Sequence, residues 1–550
     1  MTGVQGGNQI LPKGLIPMGA VLLGAVLFAG GFPNLVWEEG LPFLAWIAYV
    51  PVFWLTYQVG FASSCLWGAL YGYGAYSLFN YWLSAFHPLA GLIVGLIYLV
   101  FFMLLFPLLK LAVVLFPRRG YLVQGLLWIS FEYLRTQGFL GYSYGITGYS
   151  QWRFIPLIQI ADTFGVWGVS VLVVFPSAWL AAAIARIARP EKREKEGKQD
   201  RIKVFLVQEG VPGMMWLGAL IGALVYGYTA QVDYAHAPSA RIALIQHNTD
   251  PWLGGIREYR KNYEVLKRLS DEALKADPKP DLVVWSETAF VPRIYWHITY
   301  RDDQLSYTLV KELMDYLSLQ EVPFIIGNDD ARKDPAKNPG ADHRVDYNAA
   351  MLFDRGLITG VYRKLHLVPF TEHFPYEKQL PLIYEALRNA DTHFWEQGNE
   401  ATVFTVNGLT FSSPICFEDT FGYLSRDFVR NGAELIVNLT NDAWSNSLPA
   451  QMQHLSMAVF RAVENRRAMV RSTASGQTCA IDPNGAIIAM AEPFIETQLT
   501  VQVPVITLDS GYTKYGDFLP QCCVVATVIL LILGIGGSIL KQSKKEGFAD

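Results

Sequence analysis

Phe411-Ser412-Ser413-Pro414-Ile415-Cys416-Phe417-Glu418-Asp419 reads as a β-type apolar run that stops at a cysteine followed by two carboxylates, with a helix-like segment next. A thiol at a strand end is held rigidly yet stays reachable, as a nucleophile must be. A lone cysteine is as much at home in a core, because free Cys is among the most buried residue types. Residues upstream of this stretch decide between the two readings. They also set it in a large α/β unit attached to a membrane.

Only 17% of the 550 residues are charged and 52% are hydrophobic, against roughly 25% charged in ordinary soluble domains. A large part of the chain therefore avoids water. The net charge of −4 gives no argument for nucleic acid. Five cysteines in such a length are no disulfide framework. Cys65, Cys522 and Cys523 fall in apolar stretches, and Cys479 sits in a strand-like run that reads as core. No Cys/His cluster has metal spacing, so neither a metal nor another cofactor is expected.

Apolar runs at 14–31, 41–59, 61–83, 89–116, 121–135, 157–187, 213–230 and 519–540 suggest about eight membrane spans, most near the roughly 20 residues a crossing helix needs. The weakest, 121–135, carries Glu132 and Arg135. The first reads as an uncleaved span, since more spans follow at once. Arg118 and Arg119 lie between the fourth and fifth runs. Lys192, Arg193, Lys195, Lys198, Arg201 and Lys203 lie between the sixth and seventh, on what reads as a solvated linker, and Lys541, Lys544 and Lys545 follow the last. With the amino terminus inside, all three clusters fall on the cytoplasmic side, as the positive-inside rule requires. The expected organisation is a membrane domain over 1–230, an extracytoplasmic catalytic domain over 231–518, and a last span with a cytoplasmic tail over 519–550. The loop after the fifth run is rich in Gly and Tyr, including Tyr142, Tyr144 and Tyr149. It reads either as an interfacial aromatic belt or as part of a substrate entrance.

From 235 to 515 the pattern changes. Strands are expected at 240–247, 282–285, 322–328, 348–363 (two, around Asp354-Arg355-Gly356), 433–439 and 468–490 (paired, around Pro483-Asn484-Gly485), and helices at 256–276, 304–318 and 449–467. Such alternation over some 280 residues argues for one layered α/β domain. Three expected strand ends carry reactive groups: Glu287, Lys364 and Cys416. Thiol attack on a carbonyl needs a base for the thiol proton and a positive or donor group where the oxyanion develops. A carboxylate and a lysine supply both, with no histidine and no metal.

Trp285-Ser286-Glu287-Thr288, Tyr362-Arg363-Lys364 with Leu367-Val368-Pro369-Phe370-Thr371-Glu372, and Ile415-Cys416-Phe417-Glu418 resemble the nitrilase, or carbon–nitrogen hydrolase, superfamily. That resemblance implies an αββα sandwich with a Glu–Lys–Cys triad in this chain order. Phe131-Glu132-Tyr133-Leu134-Arg135, Gly148-Tyr149-Ser150-Gln151, Gly165-Val166-Trp167-Gly168-Val169-Ser170 and Asn441-Asp442-Ala443-Trp444 resemble, more narrowly, the apolipoprotein N-acyltransferase family of bacteria. The resemblance runs from the first apolar run to the last. It implies that Glu287, Lys364 and Cys416 transfer an acyl chain from a phospholipid, through a thioester, to the α-amino group of a diacylglyceryl-cysteine. Glu372 would orient Lys364 or Glu287, and Glu418 would fix the cysteine loop. Phe417 stands where the family commonly has a tyrosine. Asn348, Trp252 and Tyr149 are implied as substrate contacts.

Two rival readings share these residues: a membrane-anchored amidase acting on a small nitrogen compound, and a non-catalytic membrane scaffold. Several spans exceed what a simple anchor requires, and an intact triad argues against decay. The expected setting is the bacterial inner membrane, with the catalytic domain on the outer side and a monomer sufficient.

Overall fold

The computed structural model describes residues 14–86, 88–188, 198–338, 340, 342–389 and 393–546. Two six-stranded sheets build the region after residue 235. The first contains β1 (Ser239–Gln246), β2 (Leu282–Trp285), β3 (Phe324–Lys333), β4 (Arg344–Asp354) and β5 (Leu357–Arg363). The second contains β6 (Val403–Val406), β7 (Leu409–Ser412), β8 (Leu435–Thr440), β9 (Ala468–Thr473), β10 (Cys479–Ile481) and β11 (Ile487–Met490). The last strand, β12 (Thr497–Pro504), returns to the first sheet. Their orders are β12-β1-β2-β3-β4-β5 and β11-β10-β9-β8-β7-β6.

Each sheet has a parallel centre, β1-β2-β3 or β7-β8-β9, with antiparallel strands outside it. The central strands are covered on both faces, which is why they read as nearly unbroken apolar runs. Along β1 and β2, Ala243, Ile245, Val283 and Trp285 pack under helices Ile256–Ala273 and Gln304–Ser318. Their neighbours Ile242, Leu244, Leu282 and Val284 join the core of the second sheet. Ser472 of β9 donates across the gap to the carbonyls of Ile245 and Val284. Helices Gly422–Arg430 and Leu448–Asn465 share that second core. The layering is αββα.

Most expected elements fall within a few residues of their observed bounds. One departure concerns the opening stretch, because β7 ends at Ser412 and not at the cysteine. Pro414 has no N–H to continue the ladder, although its carbonyl still accepts from Leu439 N–H at 3.2 Å. Cys416 instead opens a 3₁₀ turn, Cys416–Thr420.

Among the described residues, four helices are long and apolar enough to cross a membrane: Leu89–Leu115, Val166–Ala188 and Gln199–Thr229 in the first half, and Phe518–Ser543 at the end of the chain. Leu15–Gly30 is a shorter apolar helix. The run 41–59 is not one helix. It divides into Pro42–Ala45 and Val50–Gln58, each with a proline in its first turn, where a missing N–H costs nothing. The run 157–187 breaks at Gly165, whose φ of +63° leaves the helical region, and only Val166–Ala188 continues. The helix Lys198–Thr229 extends well before the run expected at 213–230 and includes Arg201 and Lys203, so that part of the supposed linker is helical. Lys192, Arg193 and Lys195 lie outside the described residues.

Helices Phe61–Phe79 and Pro88–Leu115 meet backbone to backbone. A Cβ on Gly72 would lie 2.2 Å from the Tyr98 carbonyl oxygen, and one on Gly68 2.4 Å from that of Phe102. Small residues allow such an approach, which is how helices associate in lipid. Gly72→Val should separate the pair and cost about 1–3 kcal/mol of stability. A lowered apparent Tm of the purified variant in detergent checks this.

The second sheet rests on the membrane half through helix Leu448–Asn465. Gln453 donates to the Pro33 carbonyl and accepts from Trp82 Nε1, Glu464 accepts from Val166 N–H at 3.0 Å, and Arg466 pairs with Asp162 at 2.6 Å. This explains why the helix is buried all round, from Pro449 to Asn465.

Candidate active site

Glu287 follows β2 by two residues, in a turn where Thr288 takes a left-handed φ of +47°. The turn lies hard against β3. A Cβ on Gly327 would meet the Ser286 carbonyl oxygen at 2.3 Å and Glu287 Cα at 2.7 Å, so only glycine fits there. Asn348, facing from β4, donates its amide to Glu287 Oε1 at 2.9 Å. Lys364 follows β5 directly, its backbone N–H bonded to the Asn348 carbonyl. Its buried Nζ lies 3.2 Å from Glu287 Oε1 and 2.8 Å from Glu372 Oε1. Glu372 is anchored by the Val368 N–H on its other oxygen. Burial opposes the charge on Lys364, but the two carboxylates outweigh it and keep the ammonium protonated beyond the usual lysine range.

Cys416 is half-buried and holds φ at +48°. A non-glycine residue rarely takes this conformation, and such outliers collect at functional sites. Its carbonyl accepts from Asn438, and the side chain stands within the electrostatic reach of Glu287, Lys364 and Asp442. Burial, then the Glu287 charge, pushes the thiol well above its ordinary range, with Lys364 opposing. The sulfur therefore rests as a thiol and needs a base to react.

Glu418 staples this turn to the Lys364 segment. One of its oxygens accepts from Tyr362 O–H (2.7 Å), Leu365 N–H (2.7 Å) and His366 N–H (3.0 Å), and the other from Ile415 N–H (2.7 Å). Burial pushes its carboxyl up to about 7 against the pull of these donors. A carboxyl raised in the folded state contributes stability that is full below its unfolded value and is lost as pH climbs through the folded one. Glu418→Gln turns an amide NH₂ toward a backbone donor. It should destabilise the protein by about 1–3 kcal/mol at acid pH. The gap should narrow between pH about 4.5 and about 7, as the wild type comes to bear a buried charge. Apparent Tm of both proteins across that window checks it.

Phe417 is buried beside Phe421 (5.1 Å) and His366 (5.9 Å). Burial, helped by Lys364, holds His366 down at about 4, so the ring is a neutral wall. Tyr149 is not with this group. It is buried at the junction with the membrane half, its hydroxyl accepting from Arg461 at 3.0 Å and its ring edge-on to Phe460. It lines a cavity with Trp167, Phe421, Tyr423 and Glu464 that none of the triad lines. Trp252 stands exposed on the loop between β1 and helix Ile256–Ala273.

Sequence reasoning missed a buried charged group under the same turn. His454 lies 2.7 Å from Asp419 Oδ1 and 2.9 Å from Asp442 Oδ1, and Arg471 of β9 contacts both carboxylates. Asp442 belongs to a quoted motif, but His454 gave no signal beyond being a histidine in a helix.

Residues 241–510 match the carbon–nitrogen hydrolase family, and residues 24–179 match the family described as apolipoprotein N-acyltransferase N-terminal domain. Apolipoprotein N-acyltransferase 1 of Treponema denticola is 46% identical over 94% of this chain and 96% of its own length. Apolipoprotein N-acyltransferase 1 of Treponema pallidum is 46% identical over 92% and 93%. Apolipoprotein N-acyltransferase of Geobacter metallireducens is 31% identical over 92% and 93%.

Proposed function

The chain belongs to the apolipoprotein N-acyltransferase family, and we propose that its acyl transfer in lipoprotein maturation runs through Cys416, Glu287 and Lys364. The observation that carries this assignment is the buried Lys364 ammonium held between Glu287 and Glu372, within electrostatic reach of a thiol on a left-handed turn.

In the first half-reaction Glu287 takes the thiol proton as Sγ attacks the ester carbonyl of a phospholipid acyl chain. Lys364 and a backbone N–H beside Cys416 balance the oxyanion. The C–O bond breaks, Glu287 returns the proton to the leaving alkoxide, and a lysophospholipid departs from a thioester. The diacylglyceryl-cysteine amine then attacks the thioester carbon and gives its proton to Glu287. The C–S bond breaks, the thiolate is reprotonated and an amide remains. Glu372 and Asn348 orient Lys364 and Glu287. Phe417 and Glu418 shape and hold the turn, and Trp252, on an exposed loop, is the substrate contact to test.

Both substrates keep their acyl chains in the bilayer, so the site belongs close above one leaflet. Eight crossings with the amino terminus inside, the second made by the divided pair Pro42–Ala45 and Val50–Gln58, would put 231–518 outside the inner membrane. Arg118 and Arg119 before Gly120, and Lys541, Lys544 and Lys545 at the end of the last helix, support this reading. A single chain holds every group the reaction needs, so a monomer suffices.

The test is intact mass spectrometry of the protein in detergent with a phospholipid. An acyl adduct on Cys416 that persists in water and discharges onto a diacylglyceryl peptide is the expected result. Turnover of small amides with no adduct would instead establish the anchored amidase.

A further inference from the structure

The group under the Cys416 turn is built as a closed charge quartet. Asp419 lies within the turn Cys416–Thr420, Asp442 follows β8, Arg471 stands in β9, and His454 comes from helix Leu448–Asn465. All four side chains are buried, none more than 4% exposed. The two ring nitrogens of His454 each face a carboxylate oxygen, at 2.7 and 2.9 Å. A neutral imidazole has one N–H and would set its bare nitrogen against one of these oxygens. Only the imidazolium donates to both. Arg471 also lies 3.3 Å from Nδ1, but as a donor it gives the imidazole no acceptor, and the carboxylates are closer. With His454 charged, two cations and two anions sum to zero. Without that charge the quartet carries −1.

We propose that His454 is a positioning residue of the acyl transfer. Clamped between Asp419 and Asp442, it holds the Cys416 turn and cancels the negative field those carboxylates would set under the forming thiolate. The proposal rests on the thioester reading of Cys416. Burial works against the charge on His454, but Asp419 and Asp442 prevail and raise it to about 9, so it stays charged at neutral pH. The field reaches the nucleophile: Asp442 raises the Cys416 thiol, and Arg471 is coupled to the same sulfur. The other titratable groups around the sulfur and the quartet are Glu287 and Lys364, Tyr144 from the membrane half, 6.3 Å from the imidazole, and Cys479 of β10. None of them supplies the missing positive charge if His454 is lost, because Lys364 is already shared by two carboxylates.

The test is the pH profile of iodoacetamide alkylation at Cys416, followed by peptide mass spectrometry on the full-length protein in detergent. It reports the thiolate whether or not a phospholipid reacts, so failure of acyl transfer itself would be seen separately in the wild type. H454Q should shift the profile upward by about one unit and slow phospholipid acylation at pH 7 about tenfold. D442N, which leaves the quartet positive, should shift it downward. The H454Q/D442N double variant should return close to the wild type. The sign reversal and the rescue separate charge from packing, because a merely structural role would move both single variants the same way and worsen in the double. Unchanged profiles, shifts of one sign, or a double variant no better than H454Q would overturn the proposal. If H454Q fails to fold, D442N alone decides, and a profile unmoved or raised overturns it.

Discussion

Cys416→Ala should yield a protein that folds and enters the membrane but forms no acyl adduct. Its rate of lipoprotein acylation should fall at least about 10⁴-fold, in the range seen when a covalent nucleophile is removed. The argument that folding survives is local. Alanine loses only the sulfur at a half-buried position and meets the same left-handed backbone, at φ +48°, that cysteine already tolerates. The turn itself is held by Glu418, Asn438 and the Asp419 contacts and not by the thiol. Stability should therefore change by no more than about 1 kcal/mol. Cys416→Ser is the sharper comparison. A hydroxyl holds its proton more tightly than a thiol, so the same base should remove it far less readily. An acylation assay that finds either variant within tenfold of the wild type would remove Cys416 from the chemistry. It would leave the scaffold reading standing.

How much of this site was open to inspection in the chain differs from residue to residue, for physical reasons. Glu287 was legible because the buried parallel strand β2 writes itself as an apolar run that a reactive group breaks, and Lys364 and Cys416 because each stands just beyond a strand-like stretch. The left-handed turn at Cys416 was not legible. It is imposed by Pro414 ending the β7 ladder and by Glu418 drawing in the Ile415 N–H, both of which depend on the completed fold. His454 was hidden for a related reason: its partners come from the cysteine turn and from the end of β8, separated from it by 35 and 12 residues. The resemblance implies Tyr149 as a substrate contact. The packing of helix Leu448–Asn465 against the membrane half, unknowable from one segment, sets it beside Arg461. The run 41–59 looked continuous because apolar composition reports burial in lipid and says little about where prolines divide a helix.

Lys364→Met is expected to fail in two separable ways. Glu287 and Glu372 both approach the same ammonium, at 3.2 and 2.8 Å. Without it, two buried carboxylates face each other with no counter-charge, and removing one partner of such a group costs about 3–5 kcal/mol. Adding Glu372→Gln removes one of the two charges, so K364M/E372Q should recover much of the lost thermal stability. The chemistry should not recover with it. Acylation of Cys416 develops a negative oxygen, and a missing donor there costs about 10²–10³-fold. Glu372, pushed upward by burial with Lys364 opposing, is tied to Lys364 and to the Val368 N–H, so it positions the lysine and does not supply the oxyanion charge. Glu372→Gln alone should therefore keep measurable acylation, while both lysine variants lose it. Apparent Tm and the rate of adduct formation, read on the three variants together, decide the point. If the double variant regains both stability and acylation, Lys364 only neutralises its two carboxylates, and the oxyanion must be held by backbone N–H groups at the Cys416 turn.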